Sequence, residues 1–328
     1  MVNILVLQDN RAGNNKQALS VAELIAREIP SNIEIKKVDY NSLNIVPNIL
    51  GIMPKFYHIA NKKEVLELKH KPDLIIAAGR KLASVALGIK NIYDCKWLQL
   101  MWPGSIAHHT DLLLIPKHDN LRNWFYKNKI IPTLGTPTII NDAKLKGEAA
   151  QFPNLNLIQK RKIAVLVGGK HKQGELTVEA TRSLANMLDA INQDSKIHYL
   201  ITTSRRTGTS QTSVLKQSIC SDYELFEPNN NNILNPYNAY LYYADEIIVT
   251  TDSIAMLSEA ITLNKPVYYF DAPQLSSPKH KRFYKELEDL ELIKNIYNYG
   301  NQEFHPKINF NDLNIQIAQK IINRLALN

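Results

Sequence analysis

The sequence predicts an α/β protein of two Rossmann-like domains, each with a doubly wound parallel sheet, that face a common cleft. The length of 328 residues suits roughly two domains of ordinary size. With 45% hydrophobic and 21% charged residues, the composition is that of a globular protein. Short apolar runs alternate with stretches of helical periodicity, and this pattern is typical of parallel βαβ units.

The first half, residues 1–150, predicts an N-terminal domain. Several of its apolar runs end in polar or glycine-containing loops, and apolar residues recur at helical spacing over residues 18–25. The strands predicted for this domain are residues 4–7, 33–38, 72–79, 97–101 and 111–116.

The strand pattern weakens over residues 141–162, where residues 149–154 have the composition of a linker, and then restarts. Residues 160–300 therefore predict a second domain, and residues 301–328 a C-terminal amphipathic helix that packs back across the domains. The strands predicted for the second domain are residues 162–167, 197–203, 246–251 and 266–270, and its helices are residues 177–191 and 256–263.

The composition disfavours several classes of protein. No apolar run reaches the roughly 18 residues needed to span a bilayer, and the first residues lack the features of a signal peptide. The two cysteines, Cys95 and Cys220, are spaced for neither a disulfide scaffold nor a zinc site. We therefore expect a cytoplasmic protein.

The formal charge of +8 is concentrated in the first half. Residues 1–150 hold 20 Lys and Arg against 13 Asp and Glu, whereas residues 151–328 hold 19 against 18. This excess fits a solvated surface, and it equally fits peripheral contact with the anionic inner face of a membrane or with a phosphorylated acceptor. Nucleic acid is the least favoured partner, because the chain has no aromatic-interleaved basic patch and no helix-turn-helix pattern.

The loops after predicted strands are the candidate ligand sites, because open α/β sheets bind ligands beyond the carboxyl ends of their strands. Gly168 and Gly169 end one strand, with Lys170 and His171 directly after them. Bare backbone N–H groups and a helix following closely would favour an anion there. The alternative is a tight strand-to-helix turn.

A second loop, residues 202–207, follows the next strand and contains four hydroxyl groups and two guanidinium groups. This composition favours phosphate binding, and the alternative is an exposed basic loop. The residues that we assign to phosphate here are Thr203, Ser204, Arg205 and Arg206.

A third loop leads from a strand into the helix predicted at residues 256–263. Asp252 and Ser253 are of types that cap helices, and we also assign them, with Met256, to the donor site. Glu259 lies two turns further on, where a carboxylate can bind two ribose hydroxyl groups. The alternative for Glu259 is a solvated helix face.

The loop after the first strand is dense in polar residues around one glycine. Asp9 is a candidate general base, or else a cap or a partner of Arg11. His118 follows a strand and is a second catalytic candidate. No carboxylate or cysteine is suitably spaced from His108-His109, so we predict no metal site. The acceptor-side candidates are Asn10, Arg11, Gly13, Asn14, Gln17 and Arg80.

Together these segments resemble the mitochondrial-fission ELM family, named for elongated mitochondria, in its bacterial branch. The matches are colinear and cover most of the chain. They are residues 9–19, Ala77-Ala78-Gly79-Arg80, Leu134-Gly135, Val167-Gly168-Gly169, Thr202-Thr203-Ser204-Arg205-Arg206-Thr207, Asn235-Pro236-Tyr237, the stretch from Ala244-Asp245 through Thr251-Asp252-Ser253 to Ser258-Glu259-Ala260, and Lys281-Arg282-Phe283. The chain departs from the family pattern at Asn10, where glycine is usual, and at Met101-Trp102-Pro103-Gly104.

The resemblance implies a GT-B fold and glycosyltransferase chemistry. The third loop is also similar to the donor-binding strand and helix of the peptidoglycan N-acetylglucosaminyl transferase, which implies that Glu259 holds the ribose of a nucleotide sugar. We therefore expect metal-independent transfer of a sugar from a nucleotide-sugar substrate, without a cofactor, to a lipid-linked or saccharide acceptor. The alternatives are a nucleotide-sugar epimerase and a non-catalytic protein that recruits a membrane or partner.

Overall fold

The computed structural model describes residues 1–45, 56–120, 124–140, 142–171, 174–228, 234–300 and 304–327. The chain divides into two compact units. Unit 1 comprises Met1–Ile139 with Asn311–Asn328, and unit 2 comprises Ile140–Phe310. No helix among the described residues is long and apolar enough to cross a membrane.

Strands and helices alternate along most of the chain. The strands are β1 Val2–Gln8, β2 Ser31–Lys37, β3 Leu74–Ala78, β4 Lys96–Leu100, β5 Leu112–Pro116, β6 Ile130–Thr133, β7 Arg161–Val167, β8 Ile197–Thr203, β9 Tyr223–Phe226, β10 Glu246–Thr250, β11 Val267–Phe270 and β12 Lys294–Asn295. The helices are α1 Ala12–Glu28, α2 Lys62–Leu66, α3 Arg80–Tyr93, α4 Asp142–Ala149, α5 Asn154–Leu157, α6 Val178–Ile191, α7 Thr209–Ser218, α8 Tyr237–Tyr243, α9 Ile254–Thr262, α10 Pro278–Asp289 and α11 Phe310–Leu325.

Unit 1 is built on a six-stranded parallel sheet in the order β2-β1-β3-β4-β5-β6. Successive side chains of β1 point to opposite faces, as the strand geometry requires. Ile4 and Val6 pack with α1, whereas Leu5 and Leu7 pack with α3. The strand order reverses between β1 and β3, so the loops after these two strands flank the switch point of the sheet.

The C-terminal helix α11 belongs to unit 1 because its apolar stripe completes the core on the Ile4 side of the sheet. Ile317, Ile321 and Leu325 are buried there. By contrast α4 belongs to unit 2, where the side chain of Asn238 donates to Glu148 and the Tyr243 hydroxyl donates to the carbonyl of Ala149 at 3.4 Å. The unit boundaries therefore fall at residues 139 and 310, away from the boundaries near residues 150 and 300 that the sequence pattern predicts.

Unit 2 has a second six-stranded parallel sheet, in the order β12-β11-β10-β7-β8-β9. The order reverses between β7 and β10, so the loops after these strands flank the switch point. Alternate residues of β7, Ile163, Val165 and Val167, pack with α6 and α7. The prediction of two Rossmann-like parallel-sheet domains is confirmed.

Three strands have too short or too irregular an apolar pattern to be predicted from the sequence. β6 contains Pro132, β9 has four residues and β12 has two. The prediction that residues 266–270 form the final strand is therefore wrong. The expectation of a helix close after Gly169 is also wrong, because α6 begins only at Val178, where the Thr177 side chain caps it.

Candidate functional site

The switch point of unit 2 is organised around a buried carboxylate. Asp252 follows β10 and is 2% exposed. The N–H of Gly169 donates to its Oδ2 at 2.7 Å, and the Thr250 hydroxyl donates to its Oδ1 at 2.7 Å. The N–H of Gly168 donates to the Thr250 hydroxyl oxygen at 2.7 Å. A ligand phosphate would therefore reach these two backbone N–H groups only by replacing protein hydrogen bonds.

The two glycines are needed for packing. A Cβ at Gly168 would lie 1.9 Å from Oδ2 of Asp252, and a Cβ at Gly169 would lie 2.2 Å from the carbonyl carbon of Arg206. Both distances are far below van der Waals contact, so glycine lets β7 approach the 250–252 and 204–207 loops. Lys170, the next residue, is exposed and pairs with Glu175 at 3.3 Å.

Arg206 joins this arrangement from the loop after β8. Its Nη2 lies 3.6 Å from Oδ2 of Asp252, with 45% of its side chain exposed. Burial raises the pKa of Asp252, and the hydrogen bonds from Thr250 and Gly169 and the charge of Arg206 act against that rise. The Arg206 guanidinium thus contacts the buried Asp252 carboxylate on one side and faces solvent on the other.

The 204–207 loop is a tight turn fixed by its own hydroxyl groups. The N–H of Thr207 donates to the carbonyl of Ser204 at 3.0 Å, and the N–H of Arg206 donates to the Ser204 hydroxyl at 3.1 Å. Thr207 also donates to the carbonyl of Gly168. Thr203 is buried in β8, whereas the side chains of Arg205 and Arg206 are exposed. The structure therefore brings together the two candidate anion loops and presents both guanidinium groups at their surface.

The residues assigned to the third loop divide into two roles. Ser253 caps α9, because its hydroxyl accepts the N–H of Met256 at 3.4 Å. Met256 and Glu259 are partly exposed and lie three residues apart on one face of α9. The Tyr237 hydroxyl donates to Oε2 of Glu259 at 3.0 Å. Burial and the Glu259 carboxylate raise the pKa of Tyr237, so this hydroxyl keeps its proton.

Sequence reasoning missed the side chains of His280, Tyr284 and Asp271, which lie beside these loops. The rings of His171 and His280 lie 4.8 Å apart, and the Tyr284 hydroxyl donates to the carbonyl of Thr251. The Thr251 hydroxyl donates to Asp271 at 2.6 Å. His280 and Tyr284 are on α10, where the Lys281-Arg282-Phe283 match was the signal that could have drawn attention to them.

In unit 1, Asp9 is a buried residue with both carboxylate oxygens engaged. Oδ1 accepts the N–H of Arg11 at 2.8 Å, and Oδ2 accepts the Tyr40 hydroxyl at 2.8 Å. The side chain of Asn15 bonds both backbone groups of Asp9, at 2.9 Å and 2.6 Å. Burial and the Asp9 carboxylate raise the pKa of Tyr40. Asp9 thus fixes the turn into α1, and Tyr40 is a partner that the sequence pattern did not reveal.

The loops after β1 and β3 meet at the switch point of unit 1. The Asn14 amide donates to the carbonyl of Ala78 at 3.5 Å. A Cβ at Gly79, whose φ is +85°, would lie 2.8 Å from Nδ2 of Asn14 and 3.6 Å from a guanidinium nitrogen of Arg11. Arg80 begins α3 and is exposed. Asn10 and Gly13 are exposed near the start of α1, and Gln17 is partly exposed.

His118 lies apart from this group. It is buried in a short 3-10 helix after β5, 3.9 Å from Asp119. β3 and β4 separate β5 from β1 in the sheet, so the ends of these two strands are about 14 Å apart at ordinary strand spacing. The structure therefore does not bring the two catalytic candidates, Asp9 and His118, together. Among the described residues no group of three or more His, Cys, Asp or Glu side chains is placed to hold a metal ion.

The fold and these two loop clusters define the class of protein: two Rossmann-like domains of the GT-B type, with polar loops at each switch point. The chain belongs to the mitochondrial fission ELM1 family, which it matches over residues 12–325.

Two relatives are similar in sequence. An uncharacterized protein, RP120, of Rickettsia prowazekii (strain Madrid E) is 30% identical over 337 residues, which cover 90% of this chain and 91% of the relative. The mitochondrial fission protein ELM1 of Arabidopsis thaliana is 24% identical over 254 residues, which cover 70% of this chain and 58% of the relative.

Solved structures of two other proteins are similar in fold. The UDP-GlcNAc 2-epimerase of Methanocaldococcus jannaschii has a TM-score of 0.54 at 16% identity and covers 98% of this chain and 100% of that one. The S. aureus MnaA–UDP co-structure has a TM-score of 0.53 at 14% identity and covers 100% and 98%. At these identities the likeness shows the shared fold.

Proposed function

We propose that the protein transfers a sugar from a nucleotide-sugar donor to a lipid-linked or saccharide acceptor without a metal ion or another cofactor. The observation that carries this proposal is the cationic surface at the switch point of unit 2, where Arg205 and Arg206 are presented by a turn locked to β7 and β10. A switch point is where Rossmann-like sheets bind their ligands.

Unit 2 is the donor side in this proposal. The guanidinium groups of Arg205 and Arg206, with the Ser204 hydroxyl and Lys170, bind the diphosphate. Met256 and Glu259 face the nucleoside, and the Glu259 carboxylate accepts hydrogen bonds from ribose hydroxyl groups. Five residues act beneath this surface: Gly168, Gly169, Thr203, Asp252 and Ser253. The N–H groups of the two glycines hold the loops after β7 and β10 together through Thr250 and Asp252. Ser253 caps α9, and the Thr203 hydroxyl donates to the carbonyl of Phe226 at 3.3 Å.

Charge on the leaving diphosphate is the main chemical problem of glycosyl transfer. Preorganised cationic donors stabilise charge that develops in a transition state, and they do so without reorganising during the reaction. The 3.6 Å contact with buried Asp252 holds Arg206 in place before the donor binds. Side-chain cations are thus proposed to take the part that a divalent metal plays in other transferases.

Unit 1 is the acceptor side in this proposal. Arg11, Asn14 and Arg80 surround its switch point, and Asn10, Gly13 and Gln17 lie along the same turn and helix start. The excess of basic residues over 1–150 suits a phosphorylated or lipid-linked acceptor at an anionic membrane surface. Asp9 is assigned as the base for the acceptor hydroxyl group, and Tyr40 orients its carboxylate.

A thermal-shift screen of the full chain with UDP, GDP, CMP and ADP sugars tests the donor site. A ligand at 100 times its dissociation constant adds about 2.7 kcal/mol of stability, which raises the Tm by roughly 5 °C or more. Arg205→Ala is the sharpest variant, because Arg205 is exposed and the Asp252–Arg206 pair stays intact. We expect it to weaken donor binding about tenfold or more. Arg182→Ala, an exposed arginine of α6, is the matched control.

The result overturns the proposal if no nucleotide sugar shifts the Tm, and a non-catalytic recruiting protein then becomes the better interpretation. If a UDP sugar binds and is converted into its isomer without an acceptor, the protein is instead an epimerase. Transfer to an acceptor that is lost in Arg205→Ala and kept in Arg182→Ala supports the proposal.

A further inference from the structure

The proposed function leaves the start of α10 unused, although it reaches the anion loops of unit 2. The His280 ring lies 4.8 Å from the ring of His171, which follows Gly169 and Lys170 in the loop after β7. Arg206 and Lys279 are also close enough for their charges to act on His280. Three separate segments, the 204–207 turn, the loop after β7 and the start of α10, thus bring cationic or protonatable side chains to one place.

The contacts with Ser277 favour one tautomer of His280. The N–H of Ser277 points to Nδ1 of His280 at 3.3 Å, while the Ser277 hydroxyl accepts the N–H of His280 at 3.4 Å. These two contacts form a capping box in which histidine replaces the usual Glu or Gln. The Ser277 hydroxyl oxygen also lies 2.7 Å from Nδ1. A backbone N–H can only donate, so with Nδ1 as its acceptor the hydroxyl donates to the same nitrogen, and the proton of the neutral ring is on Nε2.

The surroundings also oppose a positive charge on this ring. Burial, together with the charges of His171, Lys279 and Arg206, lowers the pKa of His280 to about 4, whereas Asp271 acts in the opposite direction. The Tyr284 ring, stacked at 6.5 Å on the same helix, stays neutral because burial and the Asp252 and Asp271 carboxylates raise its pKa. Protonation of Nδ1 would in addition break the hydrogen bond from the Ser277 N–H.

We infer that His280 is a further residue of the anion site in unit 2, and that it acts as a neutral hydrogen-bond donor through Nε2–H to the diphosphate of the ligand. This inference rests on the proposed function, because it assumes that the Arg205–Arg206 surface binds a diphosphate. A neutral donor suits a site already rich in cations, because it contributes a hydrogen bond without adding repulsion with Arg206 and Lys279. The α10 helix is thereby assigned a binding role beside the loops of β7 and β8.

Calorimetric titration of the full chain with inorganic pyrophosphate and with UDP, at pH 6 and pH 8, tests the inference. His280→Gln is the variant of choice, because Gln at this position preserves a capping box while the Nε2–H of the ring is lost. We expect binding of both probes to weaken about tenfold, and by the same factor at pH 6 and pH 8. His305→Gln, an exposed histidine elsewhere in unit 2, is the matched control and should bind as the wild type does.

The comparison of pH 6 with pH 8 shows whether His280 binds the anion as a neutral or as a protonated ring. A loss that is large at pH 6 and absent at pH 8 would mean that a protonated His280 binds the anion, and the inference would be overturned. NMR of the ¹⁵N-labelled protein gives a second readout: the His280 signals should be those of the Nε2–H tautomer from pH 5.5 to 8, and Nε2 should shift on addition of pyrophosphate.

The two proposals fail in different ways. If the wild-type protein binds neither pyrophosphate nor UDP at either pH, both the anion site and the proposed function are refuted. If the wild type binds these probes and His280→Gln binds them with equal affinity, only the inference about α10 is refuted. A His280→Gln variant that melts well below the wild type is replaced by His280→Glu, which keeps the capping box, places a negative charge at the site and should weaken binding more strongly than Gln does.

Discussion

The substitution Gly168→Ala tests the central packing of unit 2. The added Cβ would lie 1.9 Å and 2.1 Å from the two carboxylate oxygens of Asp252. That side chain has no exposed area, and it is held by the N–H of Gly169 and the hydroxyl of Thr250, each at 2.7 Å. The carboxylate can therefore move aside only by giving up hydrogen bonds that it makes as a charged, buried group.

Two costs set the magnitude. Forcing a methyl group into a packed site costs about 1–3 kcal/mol. Losing one hydrogen bond to a charged group costs roughly 1.5–3 kcal/mol more. We expect Gly168→Ala to lower the free energy of unfolding by about 3–5 kcal/mol, and the Tm by roughly 10 °C. Gly13→Ala is the control, because nothing lies within 4 Å of a Cβ at that position.

A double-mutant cycle shows whether the carboxylate is the cause. Asp252→Ala removes the atoms that the new Cβ would meet, so Gly168→Ala should cost less than about 1 kcal/mol in that background. Thermal unfolding measures all four proteins, and hydrogen exchange of the β7 and β10 peptides locates the effect in unit 2. If the two substitutions are additive, the clash with Asp252 is not the source of the cost, and the reasoning is refuted.

Three further predictions concern charge. The pKa of His280 is about 4 in the folded protein and 6.5 ordinarily, so between these pH values the unfolded chain binds more protons than the folded one. The stability of the wild type relative to His280→Gln should therefore fall by about 2 kcal/mol as the pH falls from 6.5 to 4, measured by denaturant titration. Burial lowers the pKa of Lys265 to about 8, so stability relative to Lys265→Met should rise between pH 8 and 10.5 in the same assay, and a flat difference would contradict this. Pyrophosphate binding should weaken steeply with added NaCl in calorimetry, and Arg205→Ala should reduce that slope.

The fold was predictable where the signal is continuous apolar sequence. β3 is buried on both faces and therefore appears as an unbroken apolar run, and the central residues 247–249 of β10 do the same. The edge strand β12 spans two residues, and β6 contains a proline, so neither presents a run long enough to recognise. The place of α11 in unit 1 depends on its packing on a sheet whose strands are far away in sequence.

The candidate site was predictable as a set of loops but not as a set of contacts. Strand ends that carry glycines, hydroxyl groups and arginines pointed to loops that the structure places side by side, because parallel strands place their carboxyl ends at one edge of the sheet. Tyr237 and His280 were missed because they reach the site from helices that precede β10 or follow β11, and only the folded chain brings them to Glu259 and His171.

The glycines of unit 2 illustrate why composition alone leaves the mode of anion binding open. A strand ending in two glycines suits a phosphate bound by bare N–H groups, yet here Thr250 and Asp252 occupy both N–H groups. A buried carboxylate needs compensating donors and a cation, and Arg206 supplies the cation. The solvent-facing side of the Arg206 guanidinium is then available to bind an anion. Side chains rather than backbone N–H groups would therefore bind the diphosphate, and this difference explains why the site can gather arginine, lysine and neutral histidine from three segments.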